Sequence, residues 1–264
     1  MKRLLIFTAG LFMLNACVPY RHMPVINSEA YPVHSHNDYA HKHPLYDALN
    51  NGVNSVEADV YHFLGPLWVC HTPFGIVKLR RIQNWYFRPL KRIIDKNGGY
   101  IYKAGETFYV LIEVKTNTRH AMPRLKKIFA RYKDMLTTYT NHSVQVKPVT
   151  VTILSGRDDA YWMQDSVRYF GVELPFSHAS ENLNPYVYTQ FRLHTGSPEP
   201  YKDLNSDLNK QIKLVLARGQ RIRANAGQDI EPNWEVMYKS GVTFIHTDKL
   251  VELKEFMKKV KSEE

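Results

Sequence analysis

Short runs rich in β-branched and aromatic residues alternate with longer amphipathic segments along most of this chain, and that alternation restricts the fold more than any other feature. Strand-like runs that recur between helical patterns are the signature of βα units around a parallel sheet. Eight such runs are predicted: Tyr31 to His34, Val53 to Val60, Leu67 to His71, Phe108 to Lys115, Pro148 to Leu154, Val167 to Val172, Arg221 to Asn225 and Val242 to His246. Helical periodicity falls at 44–51, 85–95, 119–137, 158–165, 204–218, 232–240 and 249–260, and 173–203 reads as one long irregular loop. Eight strands with interleaved helices give the expected fold, a single (β/α)8 TIM barrel, with a doubly wound open sheet as the alternative. A length of 264 residues suits one such domain, and 44% hydrophobic with 23% charged residues excludes disordered, collagenous and coiled-coil classes.

The first residues belong to a different pattern. Met1-Lys2-Arg3 precedes an apolar run from Leu4 to Leu14, and the segment closes on Leu14-Asn15-Ala16-Cys17, the layout of a secretory signal. The run is too short to cross the ~30 Å hydrocarbon core as a helix. The Leu-x-Ala-Cys ending resembles the bacterial lipobox, which makes Cys17 the expected lipidation site. Residues 1–16 are then the leader, 17–30 the linker and 31–264 the folded domain. The expected location is extracytoplasmic, on a membrane face in the periplasm or at the cell surface. Removing the leader takes Lys2 and Arg3 with it and lowers the formal charge from +10 to +8. The only other cysteine is Cys70, so neither a disulfide framework nor a cysteine zinc site is available. The basic residues are scattered without an aromatic-basic motif, which argues against nucleic acid as a partner.

Two strands carry acids on one face. Side chains alternate across a strand, so in Val56-Glu57-Ala58-Asp59-Val60 the apolar set faces the helices while Glu57 and Asp59 face inward. In Val110-Leu111-Ile112-Glu113-Val114-Lys115 the same rule leaves Glu113 and Lys115 inside, near the strand's C-terminal end, where barrel active sites are built. Three inward carboxylates repel one another unless a cation compensates them, and oxygen donors suit Mg²⁺ or Ca²⁺ better than zinc. Among twelve histidines, His34, His36 and His71 end predicted strands, where an imidazole can act as general acid or base near neutral pH.

The order and spacing of these segments resemble the phospholipase C-like phosphodiesterase superfamily, which includes the glycerophosphodiester phosphodiesterases. The resemblance is strongest to the branch opening on His-Ser-His-Asn-Asp-Tyr, the yeast mitochondrial-inheritance type. It rests on His34-Ser35-His36-Asn37-Asp38-Tyr39, Pro44 to Leu49, Gly52 to Val60, Val69-Cys70-His71, Leu111 to Lys115, Arg221-Ile222-Arg223-Ala224, Pro232 to Glu235 and Gly241 to Asp248. It implies a barrel that binds one divalent cation through Glu57, Asp59 and Glu113. It also implies two catalytic histidines: His71, and either His36 or His34, with His36 preferred. Lys115 would neutralise a nonbridging phosphate oxygen and Arg223 would help hold the phosphate. The segment between His71 and Glu113 is shorter than the region that holds the substrate insertion in typical glycerophosphodiesterases, so the diester is left open between a glycerophosphodiester and a phospholipid-like compound. A cation-dependent binding module for lipid headgroups or glycans is the non-enzymatic alternative. Glycoside hydrolysis by a carboxylate pair is the other enzymatic one, and it leaves the histidines and Lys115 without a role.

Overall fold

In the computed structural model, which describes residues 29–196 and 206–263, eight parallel strands close into a barrel. They are β1 (Tyr31–Ser35), β2 (Val53–His62), β4 (Phe108–Val114), β7 (Val149–Leu154), β8 (Gly171–Pro175), β9 (Tyr188–His194), β10 (Arg221–Asn225) and β11 (Phe244–Thr247). Closure is made by β1, which pairs in parallel with β2 on one side and β11 on the other. The helices α1 (Tyr46–Asn50), α2 (Arg88–Lys96), α3 (Thr118–Arg131), α4 (Asp159–Trp162), α5 (Asp207–Ala217), α6 (Glu231–Lys239) and α7 (Leu250–Glu263) fall on the helical patterns read from the sequence.

The barrel expectation holds, with two strands reassigned. Leu67–Val69, here β3, is not a barrel strand: it turns back from β2 and pairs antiparallel to it, Val60 with Val69 and His62 with Leu67. The eighth barrel strand is instead β9, inside the segment read as a loop, while β8 begins at Gly171, near the end of the predicted Val167 to Val172 run. The pairing of β8 with β9 explains why β9 is hard to see. Val172 pairs with Tyr188 but Glu173 pairs with Gln190, so Thr189 is an extra residue that breaks the two-residue period. A small antiparallel hairpin of β5 (Thr138–Tyr139) and β6 (Val144–Gln145) lies outside the barrel.

Alternation places the core where the sequence requires it. Val56, Ala58, Val60, Val110 and Ile112 point outward into the layer shared with Leu90, Leu125 and Phe129 of the helices, and all are buried. Turns and caps mark the element ends. Gly52 takes a positive φ of 72° before β2, and the Asn117 side chain accepts the His120 N–H at the start of α3. Inside the barrel, the lower end is filled by Tyr109 packed edge-on against Phe244 with ring centroids 4.9 Å apart, and the Arg221 guanidinium lies over Tyr109. That plug leaves the upper, C-terminal half for polar side chains.

Gly171 is the position least able to change. A Cβ there would stand 2.0 Å from the Thr189 Oγ1 and 2.7 Å from its Cβ, because the bulge pushes Thr189 against β8. Gly171→Ala should therefore lower the unfolding free energy in urea by about 1–3 kcal/mol, and Thr189→Gly should recover part of that loss. Unchanged stability of the single variant would show that β9 is free to shift.

Candidate active site

The first turn after β1 carries one half of the site. His34 ends up fully buried on the inner face of the barrel: its Nδ1 bonds the Ser55 hydroxyl at 2.8 Å and its Nε2 meets the Glu57 carboxylate at 3.1 Å. Burial, opposed by the Glu57 bond and reinforced by the charge of Arg223, lowers its pKa to about 4. Two residues further, His36 stands on the wall of the cavity at the barrel mouth, with Nδ1 2.9 Å from Asp248 Oδ1. The carboxylate fixes the Nδ1–H tautomer, which leaves the Nε2 lone pair facing the Asn37 amide at 2.9 Å. Asn37 reaches that position through a left-handed backbone with φ 45°. Asp38 anchors the turn, accepting bonds from Ser35, the Tyr86 hydroxyl and the Leu45 N–H.

Asp59, at the centre, is completely buried, and its two oxygens are used unequally. Oδ2 accepts from His71 Nδ1 at 2.7 Å and the Tyr39 hydroxyl at 2.8 Å, and it pairs with Lys115 Nζ at 3.2 Å. Oδ1 has no partner. Parallel pairing sets Asp59 beside Glu113, and one oxygen from each of Glu57, Asp59 and Glu113 lies within 4.8 Å of the others. Lys115 also pairs with Glu113 at 2.6 Å, and these bonds raise its pKa against the opposing effect of burial. His71 sits at the rim with its Nε2 open to solvent, because Cys70 donates its N–H to the Asp59 carbonyl and so returns the chain to the mouth.

The floor of the site is a buried ion cluster. Arg223 grips Glu173 through Nε and Nη2, at 3.2 and 2.8 Å, and extends Nη1 to Glu57 and to His246 Nδ1. Burial opposes the ionisation of Glu57, but the His34 bond and Arg223 outweigh it and hold the carboxyl at about 2. Since arginine only donates, His246 Nδ1 must accept. Burial, with Arg223 beside the ring, keeps His246 neutral and its pKa well below the usual range. Its ring lies between those of His36, 4.2 Å away, and His34.

The residues present fit a divalent cation. Glu57, Asp59, Glu113 and Glu173 carry four formal negative charges against the two positive charges of Lys115 and Arg223, an imbalance of two. The bare Asp59 oxygen is a buried acceptor of the kind that costs stability unless something is bound to it. A second cluster that could ligate, His34, Glu57 and His246, is the poorer cradle, because Arg223 already donates to both Glu57 and His246.

Residues 25–168 match the model of the AIM6-like phosphodiesterase domain, more than half of the chain. The chain belongs to the AIM6-like phosphodiesterase family. An altered inheritance of mitochondria protein 6 homolog of Arthroderma benhamiae is 27% identical over 82% of this chain and 81% of its own length. Altered inheritance of mitochondria protein 6 of Saccharomyces cerevisiae is also 27% identical, over 54% of this chain and 44% of its own. A glycerophosphodiester phosphodiesterase from Parabacteroides distasonis shares the fold at a TM-score of 0.53 and 17% identity, covering 88% of this chain and 97% of that one. A phosphodiesterase from Oleispira antarctica, solved with the product sn-glycerol-3-phosphate, does so at 0.51 and 13%, over 86% and 96%.

The fold thus brings His36, His71, Lys115, Glu57, Asp59 and Glu113 to one mouth, with His34 beneath them and Arg223 at the floor. Cys17 lies outside the described residues. Several neighbours in this site of an AIM6-like domain were not singled out from sequence. Glu173 sits in Gly171-Val172-Glu173-Leu174, the same apolar–acid alternation that marks Glu57 and Glu113. Arg192 and His194 alternate with Phe191 and Leu193 and line the cavity, a signal blurred by the bulge at Thr189. His246 ends a predicted strand, as His71 does. Tyr39 closes the His34-Ser35-His36-Asn37-Asp38-Tyr39 motif, which is the signal that marks it.

Arg223 is a counter-ion for two buried carboxylates, so its removal should be costly. Arg223→Met should lower stability by about 3–5 kcal/mol in chemical denaturation, and the additional change Glu173→Leu should restore part of it. A loss of substrate affinity without a loss of stability would assign Arg223 to the phosphate instead.

Proposed function

We propose that this phosphodiesterase domain is a divalent-cation-dependent hydrolase of a glycerophosphodiester or phospholipid-like diester. The observation that carries the reading is Asp59. Three donors converge on its Oδ2 while its buried Oδ1 has none, and the carboxylate lies in one cluster with those of Glu57 and Glu113. Such a carboxylate orients a histidine with one oxygen and offers the other to a cation. Mg²⁺ or Ca²⁺ held by Glu57, Asp59 and Glu113 would supply Lewis-acid stabilisation of charge on a phosphoryl oxygen. The product complex of the Oleispira antarctica phosphodiesterase supports a phosphodiester-derived substrate of this class.

The chain's own residues divide the remaining work. His36, fixed by Asp248, stands on the cavity wall and takes a proton at Nε2 from water or a substrate hydroxyl that displaces the Asn37 amide. His71, fixed by Asp59, presents the opposite imidazole and gives a proton to the departing oxygen, and the two roles can be exchanged. His34 is excluded from this pair by its burial and by having both nitrogens engaged. Asn37 and Tyr39 connect the two histidines, since the Tyr39 hydroxyl bonds both Asn37 and Asp59. Lys115 stands where it can neutralise a nonbridging oxygen. Because Arg223 is engaged with Glu57 and Glu173, the cation that faces the diester across the cavity is Arg192. It is exposed and has no hydrogen bond or ion pair among the described residues. The cavity of about 420 Å³ has room for a headgroup-sized diester.

Attachment to a membrane outside the cytoplasm through a lipidated Cys17 completes the proposal, on the strength of the sequence motif at residues 14–17. Among the described residues no helix is long and apolar enough to cross a membrane.

Hydrolysis of bis(p-nitrophenyl) phosphate and of glycerophosphodiesters should disappear with EDTA and return with Mg²⁺ or Ca²⁺. His71→Ala should lower kcat by about 10²–10⁴ with substrate still bound. Turnover that survives both chelation and His71→Ala would overturn the reading, and retained ligand binding with no turnover by the parent protein would favour the binding-module alternative.

A further inference from the structure

Five of the twelve large apolar side chains exposed among the described residues fall within positions 63–79, on the two loops that flank β3. Leu64 is 85% exposed, Phe74 86% and Val77 77%, with Phe63 and Leu79 about half exposed. Isolated exposed apolar residues are ordinary, but this concentration is not. Two of the five are leucines at positive φ, 50° at both Leu64 and Leu79, a conformation in which a bulky residue is strained and glycine or asparagine is expected. The loops are also tied to the catalytic rim. The one after β3 begins at His71, and its turn Pro73–Lys78 packs so closely that a Cβ on Gly75 would stand 2.5 Å from the Cβ of Cys70. Cations are interleaved with the apolar residues: Lys78 lies between Val77 and Leu79, and exposed Arg81 lies over the Trp68 ring. No carboxylate occurs between Tyr61 and Asp95.

We propose that the loops 63–66 and 72–81 form a docking face for an anionic lipid surface, placed beside the active-site mouth so that a diester still embedded in the bilayer can enter from the edge of His71. Exposed Phe and Leu supply insertion into the acyl boundary, and Lys78 and Arg81 supply attraction to anionic headgroups, the two components that hold a peripheral protein at a membrane. The proposal deepens the phosphodiesterase reading and rests on it for the identity of the substrate, which becomes a membrane phospholipid rather than a soluble diester. Binding to the surface does not depend on that reading.

The test uses the full chain with Cys17→Ala, so that no acyl chain contributes. Sedimentation is measured with vesicles of phosphatidylcholine alone or mixed equally with phosphatidylglycerol. The protein should sediment with the mixed vesicles and less with phosphatidylcholine alone. Leu64→Ser with Phe74→Ser should weaken binding at least about tenfold, given the apolar area removed. Lys78→Glu with Arg81→Glu should abolish the preference for phosphatidylglycerol. Hydrolysis of soluble bis(p-nitrophenyl) phosphate should be unchanged in both double variants. Failure of the Cys17→Ala protein to bind vesicles, or binding that survives the Leu64→Ser and Phe74→Ser pair, overturns the proposal. So does a concentration-dependent dimer, lost in that pair, without vesicle binding, which would assign the face to a second copy of the chain. If no diester is hydrolysed but the vesicle binding follows the stated pattern, the docking face stands and the catalytic reading falls.

Discussion

Negative charge held inside the barrel is the constraint on which the rest of the site depends. Four carboxylates project inward from β2, β4 and β8, and each strand's apolar residues are committed to the helical layer outside, so none can turn away. Arg223 neutralises the lower part by gripping Glu173 and reaching Glu57, and Lys115 partly neutralises the upper part. The residual charge is concentrated around one bare oxygen of Asp59, which makes this the point where a cation is most stabilising. The two histidines at the mouth each turn Nδ1 to a carboxylate, His36 to Asp248 and His71 to Asp59.

The cluster also sorts four histidines by depth. His34 and His246 lie beside Arg223 and are kept neutral by burial and its charge, whereas His36 and His71 are at the mouth and in contact with water. Residues of the same type therefore take different roles according to their neighbours. Of the buried pair, His34 holds the Glu57 carboxylate and His246 accepts from Arg223, while the rim pair stands exposed beside Asp248 and Asp59.

Much of this arrangement is legible in the sequence because the two-residue period of a strand is a strict geometric rule. Glu57, Asp59, Glu113 and Lys115 could be assigned to the barrel interior from their apolar neighbours alone, and the inward face is where the structure places them. The rule fails where the backbone departs from it. The extra residue at Thr189 shifts the alternation of β9, which concealed that strand and with it Arg192 and His194. Local pattern also cannot separate a barrel strand from one that folds back on its neighbour, which is why Leu67 to His71 was counted in the barrel. Depth is likewise invisible locally: His34 and His36 look equivalent in His34-Ser35-His36, and only closure of the barrel seals one under the other.

That closure also has a temporal meaning. His36 comes from the first strand, and the carboxylate that orients it, Asp248, follows the last, 212 residues later. Glu57, Asp59, Glu113 and both rim histidines are already present when less than half of the chain has been made, yet Glu173, Arg223 and Asp248 are not. The acidic centre therefore has Lys115 from the start but lacks Arg223 until β10 joins the sheet, and His36 lacks its support until the segment after β11 is in place. The polar centre is thus completed only by residues from both ends of the chain, which the closure of β11 on β1 brings together.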